Sequence, residues 1–181
     1  MSRLAEGIFY DDIGSFPLPR GVKTAGLSRE GYLDLVSSVL AIKRRAGVEC
    51  PTYPQLRDMI RMFMDEIENP DQADSPYLIK TEHALIRELE AVRARDAVRV
   101  CVTGPLELYL FAFGATAYSD ILCSLAESVA RFLEKAGDMG KMAVASLDEP
   151  SLGMNSNIVF SEGEIIEALE IASRPCRGMD C

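Results

Sequence analysis

The chain has 181 residues, 48% hydrophobic and 26% charged, with a formal net charge of −9. That composition makes one ordinary globular domain with a substantial core and excludes a disordered chain. The acidity, with Lys and Arg gathered on no single segment, argues against nucleic acid or an anionic membrane as partner and leaves a small molecule or a protein.

No basic and apolar leader precedes the first predicted strand, and no run of about 18 apolar residues could span a bilayer, so a soluble cytoplasmic protein is expected. The first apolar run, Ile8-Phe9-Tyr10, stops at a polar elbow, Asp11-Asp12-Ile13-Gly14-Ser15-Phe16-Pro17. After a proline-rich loop, Ser28 opens a helix with Tyr32, Leu33, Leu35, Val36, Val39, Leu40 and Ile42 at helical spacing, ending near Ala46-Gly47. Val48 to Pro54 reads as a short strand closed by Pro51 and Pro54, and Gln55 to Ile67 as a Met-rich helix broken by Asn69-Pro70-Asp71.

Tyr77-Leu78-Ile79 is a brief extended piece, and Thr81 caps a helix running to about Arg95. Val98-Arg99-Val100-Cys101-Val102-Thr103 is β-branched and apolar, the clearest strand of the chain, ending at Gly104-Pro105. Leu106 to Phe113 and Ser119 to Ala136 read as helices, the second burying Ile121, Leu122, Leu125, Val129, Phe132 and Leu133. A strand from Lys141 to Leu147 stops at a second carboxylate elbow, Asp148-Glu149-Pro150. The last helix opens at Ser161 with a capping box to Glu164, and the tail from Arg174 to Cys181 has no periodicity.

Strands separated by helices describe parallel βα units with right-handed crossovers. Pattern alone fits either an open doubly wound sheet or part of a (β/α)8 barrel, whose full form takes about 250 residues. In both, ligands sit at the carboxyl ends of the strands, which makes the two carboxylate elbows the first candidate site. Two adjacent carboxylates after an apolar strand are costly to bury without a ligand or a cationic partner, so Asp148 and Glu149 lead; Asp11 and Asp12 equally suit a solvated strand end.

Cys50, Cys101, Cys123, Cys176 and Cys181 form no C-x-x-C pair, and the first three sit in apolar surroundings, as buried free thiols do in a reducing compartment. Cys176 and Cys181 could form an exposed pair. One histidine, His83, reads as a surface or cap residue, and the chain has too few soft ligands for a self-contained zinc site. Met59, Met62 and Met64 read as adaptable core, and Asp65-Glu66-Ile67-Glu68 as a solvated helix end.

Four ordered stretches carry a resemblance: Asp12-Ile13-Gly14-Ser15-Phe16-Pro17, Arg57-Asp58-Met59, Val102-Thr103-Gly104-Pro105, and Leu147-Asp148-Glu149-Pro150-Ser151-Leu152. Together, over about Ile8 to Ala172, they resemble the catalytic barrel of the cobalamin-independent methionine synthase family. The likeness is closest to its short archaeal form, within the fold group shared with uroporphyrinogen decarboxylase. The resemblance implies a single domain, the N-terminal part of a (β/α)8 barrel, with about the first five βα units. It implies methyl transfer to the thiol of homocysteine, with zinc holding the thiolate, since a thiol is a poor nucleophile until its proton is removed.

The resemblance gives the amino-acid part of homocysteine to Ile13, Gly14, Ser15 and Asp148, makes Glu149 an assisting or orienting group, and puts Phe111 on the methyl-donor side. Arg61 stands where that family has a Glu touching the substrate amine. The family's zinc ligands, a His-x-Cys, a Glu and a later Cys, have no match in this chain, so zinc is expected to be held by residues outside it and the chain alone to be inert. A methylated corrinoid, or methyl-folate, is the implied donor, and a corrinoid protein an implied partner. Two alternatives stand beside this: a corrinoid-dependent methyltransferase for another thiol, and a non-catalytic half-barrel that binds a partner, its missing C-terminal half or itself through exposed strand edges.

Overall fold

The structure is a computed structural model and describes residues 10–18, 20–24, 26–93, 96–155 and 158–177. Ile8, Phe9, Pro19, Arg95 and Cys181, which enter the sequence expectations, lie outside the described residues. The chain folds as a mixed α/β structure. Its helices are α1 (Arg29–Arg45), α2 (Arg61–Ile67), α3 (Pro105–Phe113), α4 (Ser119–Asp138) and α5 (Glu162–Ser173). The strands are an antiparallel hairpin, β1 (Ala73–Ser75) with β2 (Leu78–Ile79), and a parallel pair, β3 (Val98–Thr103) with β4 (Met142–Asp148).

Two further extended segments join the parallel pair through single bridges. Asp11 bridges Cys50, Ser15 bridges Gln55, and Thr52 bridges Arg99, all parallel. Residues 10–15, residues 50–55, β3 and β4 therefore lie side by side in chain order, without the reversal that marks a doubly wound sheet. They do not close into a barrel among the described residues. The segment read as a strand over Val48 to Pro54 is held by bridges rather than a ladder, because Pro51 and Pro54 have no N–H to give.

Helix α1 follows from its sequence. The Ser28 hydroxyl accepts the Gly31 N–H at 3.1 Å, and Lys43, Arg44 and Arg45 close the last turn against the helix dipole. Its buried stripe is Tyr32, Val36, Val39, Leu40 and, unexpectedly, Lys43. The core centres on α4, whose Leu122, Leu125, Ala126, Val129, Phe132, Leu133 and Ala136 are buried against α3, α5 and β3. Each fully buried Leu or Phe contributes about 1.5–3 kcal/mol relative to exposure. Phe132 meets Phe63 of α2 edge to face at 5.1 Å.

Two helix expectations are corrected. The helix expected from Gln55 begins at Arg61, because Gln55 bridges Ser15 and the Asp58 carboxylate accepts the N–H groups of Ile60 and Arg61 at 3.0 and 2.9 Å. The helix expected from Thr81 is two 3-10 turns, Thr81–His83 and Arg87–Ala91. Burial of Ala84, Ile86, Leu89 and Val92 and of the Glu88 carboxylate overrides helix propensity there. The extended piece at Tyr77 proves to be the turn and second strand of the hairpin, pinned to α4 by the Ser128 hydroxyl, which accepts the Ile79 N–H and donates to Tyr77 O.

The remaining expectations agree with the structure: β3, α3, α4, and α5 with its complete Ser161–Glu164 capping box. Cys50 and Cys101 are buried free thiols, while Cys123 and Cys176 are half-buried. Met62 and Met64 are core residues. Among the described residues no helix is long and apolar enough to cross a membrane.

Candidate functional site

The carboxyl ends of the four parallel segments are Ser15, Gln55, Thr103 and Asp148, and they form one edge. The first elbow is anchored from below. The buried Lys43 ammonium pairs with Asp12 at 2.6 Å and donates to Thr52 O at 3.0 Å and Gly14 O at 3.3 Å, filling its three donor positions. Asp12 also accepts the Thr52 N–H at 2.7 Å. Asp11 pairs with Arg99 at 2.6 Å. Both aspartates of the elbow are thus occupied in holding the segments together.

Gly14 is required for a steric reason. Its φ is +83°, and a Cβ there would meet Gln55 Oε1 and Thr52 Cγ2 at 2.8 Å. Gln55 lies against it, 5% exposed, and neither its Nε2 nor its Oε1 makes a hydrogen bond among the described residues. The amide adjoins the Tyr53 hydroxyl and the Cys101 thiol and partly offsets the rise that burial imposes on both.

On β3 and β4, Arg99, Cys101 and Thr103 pair with Val144, Ser146 and Asp148 on one side of the sheet, away from the apolar Val98, Val100 and Val102 side. Burial pushes the Cys101 thiol up to about 12, reinforced by the adjoining Asp148 carboxylate, while neighbouring Ser146 and Gln55 oppose it. Such a thiol is no nucleophile at neutral pH. Its surroundings show that Gln55 and Asp148 lie on either side of it, so the Ile13-Gly14-Ser15 elbow and Asp148 belong to one neighbourhood. Asp148 is half-buried and joins none of the ion pairs among the described residues. Ser15 is exposed and Ile13 is 78% exposed.

Glu149 turns away from that opening. Its carboxylate accepts the N–H groups of Leu106 and Glu107, both at 2.8 Å, capping α3. Burial pushes its pKa up to about 7; the two N–H bonds oppose this, and the Glu107 and Asp148 carboxylates add to it. Phe111 lies on α3, 44% exposed, under the Arg61 guanidinium at 4.9 Å. Arg61 faces this ring and lies 3.6 Å from Asp65 and 3.8 Å from Glu68, so the polar side chain beside the elbow is Gln55 instead.

The Arg57-Asp58-Met59 motif is spent on the scaffold. Arg57 grips Glu88 with two bonds at 2.8 and 3.0 Å, Asp58 caps α2, and Met59 O accepts the Thr103 hydroxyl at 2.9 Å. Glu88 is fully buried and also accepts the Tyr32 hydroxyl at 2.5 Å. Burial and the neighbouring Glu88 push the Tyr32 hydroxyl up.

Sequence reasoning missed Gln55 and Lys43. Lys43 was readable as a lysine on the apolar stripe of α1, eleven positions after Tyr32. Gln55 was readable as a lone polar residue immediately after the proline that closes a strand. Among the described residues no three His, Cys, Asp or Glu side chains gather where they could hold a metal ion, so the donor set present does not fit zinc. Comparison of the chain with protein-family models, curated proteins and solved structures finds no match.

Proposed function

We propose that the chain is the homocysteine-binding part of a methyltransferase that methylates the homocysteine thiol to give methionine, built on an arc of a (β/α)8 barrel. The observation that carries the reading is the shared edge: parallel segments in unbroken chain order ending at Ser15, Gln55, Thr103 and Asp148. Unbroken order is what an arc of a closing barrel requires, and its carboxyl edge is where such barrels bind substrate.

In this reading the Asp148 carboxylate, beside the Cys101 thiol, takes the ammonium group. The Ser15 hydroxyl and the backbone of the elbow take the α-carboxylate, and the Gln55 amide gains the partners it lacks. Ile13 covers the aliphatic part. Phe111, with Arg61 on its ring, lines the side from which a methyl-corrinoid or methyl-folate donor approaches. The described side chains do not assemble a zinc site, so activation of the thiol falls to groups outside them.

Titration calorimetry of the chain with L-homocysteine tests the reading. Saturable binding that is lost in Asp148→Asn and in Ser15→Ala supports it, and no heat up to millimolar ligand overturns it. A second reading, self-association or docking of another half-barrel, is favoured by one observation. Every residue of β4 is half-buried, and among the described residues the strand is paired on the β3 side alone. Sedimentation of the purified chain as a monomer contradicts the self-association.

A further inference from the structure

We propose that Glu149 is a positioning residue: it latches the loop after β4 onto the start of α3 and thereby fixes Asp148 at the carboxyl edge. The proposal rests on the reading above only for what Asp148 binds.

The latch is a closed set of contacts between two neighbouring strand ends. Thr103 and Asp148 are the last paired residues of β3 and β4, and the Gly104 N–H donates to Asp148 O at 2.8 Å. One residue on, the Glu149 side chain crosses back over Gly104 to receive the Leu106 and Glu107 N–H groups, one on each oxygen. Gly104 makes the crossing possible, since a Cβ there would lie 2.3 Å from Glu149 Oε1. Beyond it, the Ser151 hydroxyl donates to the Glu107 carboxylate at 2.5 Å, and the Leu152 N–H donates to Glu149 O at 3.1 Å. The loop that follows Asp148 is therefore tied to α3 at two points, Glu149 and Ser151.

Both Glu149 oxygens are acceptors in this arrangement, so the latch is complete only when the carboxylate is ionised. Protonation turns one oxygen into a donor and weakens the bond that it accepts from its α3 amide. The charged groups facing Glu149 are Glu107 of α3 and Asp148 of β4, both negative. Burial first, and then these two carboxylates, favour the proton, so the latch loosens on mild acidification rather than near the usual carboxylate range.

The test is an amide NMR titration of the chain alone between pH 5.5 and 8.5. The expected result is that the Leu106, Glu107 and Gly104 amides move with one midpoint near 7, with greater exchange protection at Leu106 and Glu107 on the alkaline side. That common transition disappears in Glu149→Gln. Silent Leu106 and Glu107 amides, the same transition persisting in Glu149→Gln, or a Gly104 amide that fails to follow would each overturn the latch. The titration needs no ligand. A chain whose amides titrate together but that binds no homocysteine contradicts the proposed function and leaves the latch standing.

Discussion

The polar cluster around Glu88 and the one at the first elbow differ in how completely they are satisfied among the described residues. Around Glu88, each group has its partner: Arg57 and Tyr32 fill the carboxylate oxygens and no ligand is called for. Around the first elbow, neither polar atom of the buried Gln55 makes a hydrogen bond and Asp148 joins no ion pair among the described residues. A satisfied buried network holds a fold together, whereas an unsatisfied one costs stability and persists where it is used. The difference separates scaffold from site more sharply than the identity of the residues does, since both clusters contain a carboxylate among buried polar groups.

The largest effect that could break this contrast is Glu88→Ala. Stranding the Arg57 charge should cost about 3–5 kcal/mol in denaturant unfolding, and a double replacement with Arg57→Met should recover part of it. A loss under about 1 kcal/mol would mean that Glu88 is no keystone.

Glu149 comes next. Its pKa rises from the ordinary 4.5 to about 7 in the folded chain, so the native state holds the proton more tightly than the unfolded state does. Its stabilising contribution is full below 4.5 and is lost as pH climbs to about 7, a change of about 2–3 kcal/mol. Thermal unfolding should therefore show the wild type losing stability relative to Glu149→Gln across that window. Parallel curves would contradict the burial of an ionisable Glu149.

Gly104→Ala, which drives a methyl into the Glu149 carboxylate, should cost about 1–3 kcal/mol and abolish the α3 cap. The smallest effects sharpen the comparison most. Gln55→Met should leave stability unchanged or raise it by up to about 1 kcal/mol while weakening homocysteine binding, because it removes an unsatisfied amide at little change of volume. Asp148→Asn should stay within about 0.5 kcal/mol of wild type in stability and lose the ligand.

Much of this was legible in the sequence where local rules decide the outcome. Ser28 and Ser161 announced their helices through side chains that cap them, and the β-branched run from Val98 announced β3. The elbows were legible as abrupt changes from apolar to carboxylate. What could not be read was the division of labour among the carboxylates: Asp11 and Asp12 serve Arg99 and Lys43, and those partners come from distant elements. The region from Thr81 misled because its helical pattern is overruled by a contact between Glu88 and Arg57, which lies 31 positions earlier. Nor could the sequence show that Glu149, expected to assist or orient beside Asp148, places its oxygens on the backbone of α3.

The central claim is that the edge formed by Ser15, Gln55 and Asp148 receives an amino acid. Mapping the amide shifts of the chain on addition of L-homocysteine tests it most directly. The account predicts saturable shifts confined to residues around 13–15, 55 and 148, including the Gln55 side-chain amide. Shifts centred elsewhere, or none at millimolar ligand, would contradict it.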